Sequence, residues 1–376
     1  MHRARARRSR WPFLFARSFS ARVRFYAIAS WSRATGRERI LSRRAVRLRG
    51  IVRRTRVRSA RRRHKATFVG TGVMGLRHLR VFASLPDRFE IAGSYDVRSD
   101  APLPAYARPL RSEEEAILCA DVVVVATPTA AHSATVARAL SAGRHVLVEK
   151  PLCATGLEAE ALAGLATRGP GLLFVGHSER FNPVVRAVAR LVRDEPVLAI
   201  DLLRVGPSRP AEGGVLVNLG VHDFDLAAYV GQAPLKLLGA VAGGASSAAG
   251  EDLAHVLFTN GAGTVGHLHV DRTAPERRRS IALATPDWLY EGDLLSHRLA
   301  RTARDTGAKT HVPLSLDEPL AAQALALADA LDGARVREIA TASDGACAVA
   351  LAEEAARRAA SSAPVAGIAN VWPRLH

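Results

Sequence analysis

The sequence predicts an α/β protein in two parts: a Rossmann domain with a parallel sheet, followed by an α/β domain with an open, mostly antiparallel sheet. Three observations carry this. Short apolar strands alternate with helices up to about residue 180. Beyond it, strand-like segments follow one another with few long helices between them. The chain has 376 residues, enough for two proper cores.

The first segment stands apart from both. Residues 1–65 hold 22 Arg and one Lys against the single acid Glu38, a net +22, while the remainder carries −4. The whole-chain charge of +18 therefore belongs to one end. Such a segment suits an arm for nucleic acid or a membrane surface, an organelle transit peptide, or upstream text that is not translated, with Val57 as the true start. It lacks the periodic apolar face of a helix. Residues 1–64 are read as a basic extension, disordered or non-native, and nucleic acid is not expected as a partner. No apolar run approaches the ~18 residues of a membrane span; the longest are strand-length, such as "VVVVA" at 122–126. Cys119, Cys153 and Cys347 have no metal-like spacing and suggest a reducing, cytoplasmic setting.

The folded part opens with "KATFVGTGVMGLRHLRVFASL" (65–85). A short strand, "ATFVG", runs into Gly70, Gly72 and Gly75 in a G-x-G-x-x-G pattern that also contains Val73 and Met74. Leu76, Leu79, Phe82 and Leu85 then recur every three residues, as on one helix face. The next strand, "FEIAGSY" (89–95), ends at Asp96, 21 residues after Gly75. A helix at 112–119 leads to "DVVVVATP" (121–128), one at 130–142 to "HVLVEKP" (145–151), and one at 157–167 to "LLFVGH" (172–177). Strands that are apolar on both faces belong to a parallel sheet covered on both sides.

This context gives the glycine motif its meaning. Gly70 permits the tight turn, Gly72 lets the backbone approach a pyrophosphate, and Gly75 allows close helix–strand packing. The helix N-terminus then faces the phosphates. Asp96 would bond the ribose hydroxyls and repel a 2′-phosphate, which favours NAD. Arg98 could neutralise that repulsion, so NADP stays open. Ligands bind at the carboxyl ends of such strands, where Thr127 and Pro128 of "ATPT" and Glu149 and Lys150 of "EKP" sit. The chain has 49 Arg and only four Lys. Arg cannot exchange a proton near neutral pH, whereas a buried Lys can, so Lys150 is read as a functional group in the nicotinamide crevice.

In the second part, a helix is expected at 183–194, a strand at 197–205 and a helix at 215–230. Strands at 236–242, 254–260, 264–271, 278–285 and 287–294 follow, with "NGAG" (260–263) as a hairpin turn. Ala-rich helices at 319–331 and 344–361 close the chain, and no solenoid-period repeat occurs. In "VLVNLGVHDFDLAAYV" (215–230), Asn218, His222 and Asp225 stand at i, i+4 and i+7, one stripe of an otherwise apolar helix. That pattern suits a general base, His222, oriented by a neighbour. His267 and His269 alternate on one strand face; with no third ligand evident they are read as structural, and no metal is expected.

Four motifs in order, "GTGVMG", "EKP", "GHSERFNP" (176–183) and "NLGVHDFDL" (218–226), resemble the Gfo/Idh/MocA oxidoreductases over residues 65 to about 361. The resemblance implies a Rossmann domain at 65–180 and a substrate-binding and oligomerisation domain at 181–376. It implies NAD(P)-dependent oxidation or reduction of sugars and polyols, with Lys150 and His222 as the catalytic pair. Where many members have Asp, this chain has Asn218, which can orient a substrate or His222 but cannot carry a proton. Within the family, "GHSERFNP" is similar to the string of the UDP-N-acetylglucosamine 3-dehydrogenases. These oxidise the sugar 3-hydroxyl to a ketone, which supplies a 3-amino sugar for lipid A. Arg180 and Asn182, with Asn218 and Asp225, are then expected to shape the substrate side. A polyol or free-sugar dehydrogenase, such as one acting on inositol, is the alternative; a non-catalytic NAD-binding protein is the other. An open sheet needs its face covered, so a homo-oligomer is expected.

Overall fold

A computed structural model of the chain describes residues 62–207, 214–244 and 250–361. The basic extension lies outside the described residues except at its last three positions. Five parallel strands build the first sheet: β1 (His64–Val69), β2 (Phe89–Tyr95), β3 (Val122–Val125), β4 (His145–Val148) and β5 (Leu173–Val175). Their order in space is β5-β4-β3-β1-β2. The chain thus leaves β1 to one side for β2 and to the other for β3, which opens the switch-point crevice where ligands bind. Helices α1 (Val73–Ala83), α2 (Glu113–Leu118), α3 (Thr129–Ser141) and α4 (Gly156–Arg168) make the crossovers. Phe68, Phe82 and Phe89 meet between β1, α1 and β2, with the Phe68 and Phe82 rings edge-on at 5.4 Å. Burying each such ring stabilises the fold by about 1.5–3 kcal/mol.

After β5 come a single 3₁₀ turn at Ser178–Phe181, α5 (Pro183–Leu191) and β6 (Ala199–Val205). Next are α6 (Val221–Gly231), β7 (Leu235–Gly243), β8 (Leu253–Asn260), β9 (Val265–Asp271), β10 (Arg278–Ala284) and β11 (Trp288–Asp293). With β12 (Arg298–Ala303) and β13 (Lys309–His311) these strands form an eight-stranded sheet, ordered β13-β12-β11-β10-β6-β9-β8-β7. Every pairing is antiparallel except β6 with β9. One face carries the core, with Ile200, Leu202, Val256, Phe258, Leu268 and Ile281 packed under α5 and α6. The "NGAG" turn joins β8 to β9, and Asn260 Oδ1 accepts from the Ala262 and Thr264 amides. On the opposite face His255 Nδ1 lies 3.1 Å from His267 Nε2, and the His255 and His269 rings stack at 4.0 Å.

Three differences from the sequence reading matter. The helix expected at 215–230 begins as a π-helical turn, Leu216–Gly220, before α6. Such a turn widens the backbone and is common at functional sites. β12 and β13 are strands that the sequence reading passed over. The chain also returns to the first sheet at its end. Helix α7 (Pro319–Leu331) packs Ala324, Leu327 and Ala328 into the core of β1 and α1. β14 (Ala340–Thr341) adds antiparallel to β5, and α8 (Ala342–Ser361) contributes Val349 to the first core and Ala352 and Ala355 to the second. A boundary after residue 180 therefore leaves α7 and β14 on the far side of the sheet they complete.

Candidate active site

The crevice outside β1 and β3 is a cleft of about 880 Å³. It is lined by Gly70, Gly72, Val73, Met74, Asp96, Thr127, Pro128, Glu149 and Lys150, among others. The glycines differ in what they permit. Gly70 has φ +91°, and a side chain there would put its Cβ 2.6 Å from the Ala126 carbonyl. At Gly75 a Cβ would collide with the Gly70 carbonyl. Gly72 has open space where its Cβ would point, which leaves its backbone approachable. It precedes α1 with no side-chain cap and no acid in the first turn, so the free amides and positive end of the helix face the cleft. Thr127 adds a buried hydroxyl without a partner. An open glycine backbone, an uncapped helix start and an orphaned hydroxyl suit a dinucleotide.

Asp96 is held on three sides. The Thr71 amide and hydroxyl donate to Oδ2 at 2.8 and 3.0 Å. The Arg98 amide and Nε both donate to Oδ1 at 3.0 Å, and Nη2 donates to Oδ2 at 3.2 Å. The Arg98 guanidinium holds this carboxyl well below the usual carboxylate range, with the Thr71 bonds adding to it. Arg98 is thus a close neighbour of Asp96, not merely a residue two positions away.

The end of β4 carries Glu149 and Lys150, and the Lys150–Pro151 peptide is cis. Burial disfavours a charged Glu149, but His78 Nε2 at 2.6 Å and the neighbouring Lys150 outweigh it, and the carboxyl sits below its ordinary value. His78 comes from the inward face of α1, and sequence reasoning gave it no role. Its signal was a histidine inside the apolar stripe of that helix. Lys150 Nζ donates to the Asn218 carbonyl at 2.9 Å, inside the π-helical turn. Burial lowers its pKa to about 8, with Arg204 and Arg279 pushing the same way against Glu149 and Glu179.

His222 opens α6 just beyond that turn. Burial, then the charges of Lys150, Arg204 and Arg279, hold its pKa well below the ordinary histidine value. Its Nδ1 is buried without a partner. Near neutral pH the pair is therefore an ammonium and a neutral imidazole: one group can stabilise a negative oxygen while the other takes a proton. Asn218 reaches Lys150 through its main-chain carbonyl, not through its side-chain amide.

The other expected substrate contacts lie elsewhere. Arg180 and Asp225 form a buried two-bond pair, Nε to Oδ2 at 2.8 Å and Nη2 to Oδ1 at 2.6 Å, with 3% and 1% of their side chains exposed. Arg180 also reaches Asp344 of α8 at 3.3 Å and lies over the Tyr229 ring. Asn182 caps α5 through Oδ1 and donates Nδ2 to the Leu294 carbonyl at 2.9 Å. These three side chains make internal bonds, which also hold the elements they join. Two residues from Asp225, Asp223 makes a second buried pair, with Arg204 Nε at 2.8 Å and Nη2 at 2.9 Å. His177 lies buried beside His222, ring centroids 6.2 Å apart, with neither nitrogen hydrogen-bonded and Nδ1 3.8 Å from Asp225 Oδ2. Among the described residues, no group of three His, Cys, Asp or Glu side chains could hold a metal ion.

Two family models match the chain. One, an oxidoreductase family with an NAD-binding Rossmann fold, covers residues 64–177; the other, the GFO/IDH/MocA C-terminal domain, covers residues 192–285. The chain is 28% identical over 257 residues to the UDP-N-acetylglucosamine 3-dehydrogenase of Acidithiobacillus ferrooxidans, spanning 66% of this chain and 80% of that one. A solved structure of that protein superposes with a TM-score of 0.73 at 24% identity, over 80% of this chain and 99% of the other. An inositol 2-dehydrogenase of Rhizobium meliloti is 26% identical over 183 residues, 45% of this chain and 56% of its own length.

Proposed function

The chain belongs to the Gfo/Idh/MocA oxidoreductases, NAD-binding enzymes that act on CH–OH groups, and from that premise we propose that it oxidises a nucleotide sugar, with the 3-hydroxyl of UDP-N-acetylglucosamine as the reacting group. The observation that carries the reading is Lys150, which lines the dinucleotide cleft and donates to the carbonyl of Asn218, four residues before His222. The similarity to a UDP-N-acetylglucosamine 3-dehydrogenase over 80% of that protein supports the choice of sugar.

Bound NAD supplies the hydride acceptor. Neutral His222 takes the hydroxyl proton, and the Lys150 ammonium stabilises the oxygen as negative charge builds on it. The Asn218 carbonyl fixes where Nζ points, and Glu149 balances its charge. The product is a 3-ketone, the substrate an amino-transferring enzyme needs to make a 3-amino sugar. Self-association is part of the reading: Val241, Leu257 and Val265 expose 52–57% of their surface on the outer face of the second sheet. Three cysteines without disulfides fit a cytoplasmic setting.

A second reading, a neutral polyol as substrate, rests on the likeness to the inositol 2-dehydrogenase. Turnover of UDP-N-acetylglucosamine and of myo-inositol, each with NAD and followed by NADH absorbance, separates the two. A 3-keto product from the nucleotide sugar is the expected result; oxidation of inositol alone overturns it.

A further inference from the structure

The inner face of the second sheet ends, on the site's side, in arginines. Arg204 of β6 and Arg279 of β10 are direct cross-strand partners, and like charges placed so cost stability. Arg204 is buried and held at all three nitrogens, with Asp223 holding Nε and Nη2 and Glu179 Oε1 lying 3.4 Å from Nη1. Arg279 is neither. Among the described residues its hydrogen-bond partner is the same Glu179 Oε1, at 2.8 Å from Nη1, and 35% of its side chain is exposed. Its remaining N–H donors have no partner among the described residues. Arg277 stands two positions earlier, just before β10 begins.

Glu179 also fixes where Arg279 points. It belongs to the 3₁₀ turn that follows β5, and the same carboxylate links Arg204, whose other partner Asp223 adjoins His222. Arg279 lies near enough to Lys150 and His222 for its charge to act on both. Simple scaffolding would bury a guanidinium against paired carboxylates, as it does at Arg204 and Arg180. A partly exposed one beside a proton-transfer pair is instead a ready receptor for phosphate oxygens, which a guanidinium binds in fork geometry.

We propose that Arg279 receives a phosphoryl group of the substrate, so that the enzyme selects phosphorylated sugars over neutral polyols. The proposal rests on the dehydrogenase reading above but not on the particular nucleotide. A nucleoside-diphosphate sugar and a simple sugar phosphate offer the same oxygens.

The test uses the full chain with NAD and three substrates: UDP-N-acetylglucosamine, N-acetylglucosamine 1-phosphate and myo-inositol. Arg279→Gln should raise KM for the phosphorylated substrate about 10–100-fold, the scale of one charge-assisted bond, with kcat changed only a few-fold. Arg279→Lys should recover part of the loss. Calorimetric binding of UDP to the NAD-loaded protein should weaken in parallel, while Tm and NAD affinity hold. If wild type ignores UDP-N-acetylglucosamine but oxidises the sugar phosphate in an Arg279-dependent way, the nucleotide reading falls and this proposal stands. If Arg279→Gln oxidises UDP-N-acetylglucosamine with an unchanged KM, the proposal falls and the nucleotide reading stands. Oxidation of inositol alone overturns both.

Discussion

The cofactor half and the substrate half use polar side chains in opposite ways. In the first, polar and conformationally special residues sit at strand ends and face the cleft: Gly72, Asp96, Thr127, Glu149 and Lys150 all line it. In the second, polar residues embedded in apolar motifs mostly turn inward. Arg180 with Asp225 and Arg204 with Asp223 are buried pairs, and Asn182 is a helix cap. On the proposed reading, His222 and the partly exposed Arg279 serve the substrate there instead. A parallel sheet collects its ligand groups at one edge because every strand ends on the same side. An antiparallel sheet under two helices has no such edge, so its polar groups must be placed one at a time.

The sharpest way to break this comparison is at Arg180. As scaffolding, its loss leaves Asp225 buried and unpaired, a destabilisation of about 3–5 kcal/mol, read as a large fall in Tm for Arg180→Ala. Arg180→Met together with Asp225→Leu removes both charges and should recover much of it. If Arg180→Ala keeps its Tm and loses only substrate affinity, the inward reading of this region is wrong.

Lys150 tests the other half. Lys150→Ala should lower turnover about a hundredfold or more while NAD still binds, and Lys150→Arg should do almost as badly, because a guanidinium cannot share a compact, titratable role. The pH dependence gives the sign. An ammonium is required here, so kcat should fall as pH rises through about 8, where Lys150 loses its proton. On the acid side it should fall only below the ordinary histidine range, where His222 gains one. A rate still rising through pH 8 would make Lys150 the proton acceptor instead.

The smallest effect concerns Asp96. NAD should bind more tightly than NADP, since the carboxylate repels a 2′-phosphate. Asp96→Ser frees Arg98 from its bonds and should shift the preference towards NADP by about tenfold, or ~1.4 kcal/mol. Equal affinities in the unmodified protein would show that Arg98 already cancels the acid.

These contrasts also explain what was legible in the sequence. The glycine turn, the alternation of strands and helices and the "NGAG" hairpin are local, set by backbone sterics and side-chain period within a few residues. The Asp225–Arg180 and Arg279–Arg204 relations join residues far apart in sequence, through packing that no periodicity reveals. The π-helical turn was hidden because "LVNLG" has the composition of an ordinary helix. β14 was hidden because two residues are too few to show a period. His177 and Glu179 stand in the "GHSERFNP" motif, but only their neighbours reveal that one is buried without a hydrogen bond and the other holds two arginines.

The two residues of β14 also set an order of events during synthesis. A ribosome makes β1 to β5 well before Ala340 and Thr341, which close the outer edge of β5, and before α7, which roofs β1 and α1. Until then the nascent sheet presents an unpaired edge and an uncovered apolar flank, both invitations to association with other chains. The dinucleotide turn is finished early, but the floor beneath it is laid last. Premature termination between the end of β5 and residue 340 would thus yield a species that carries the whole glycine motif yet is prone to aggregate, and quality control would act on it as misfolded, not as a slow enzyme.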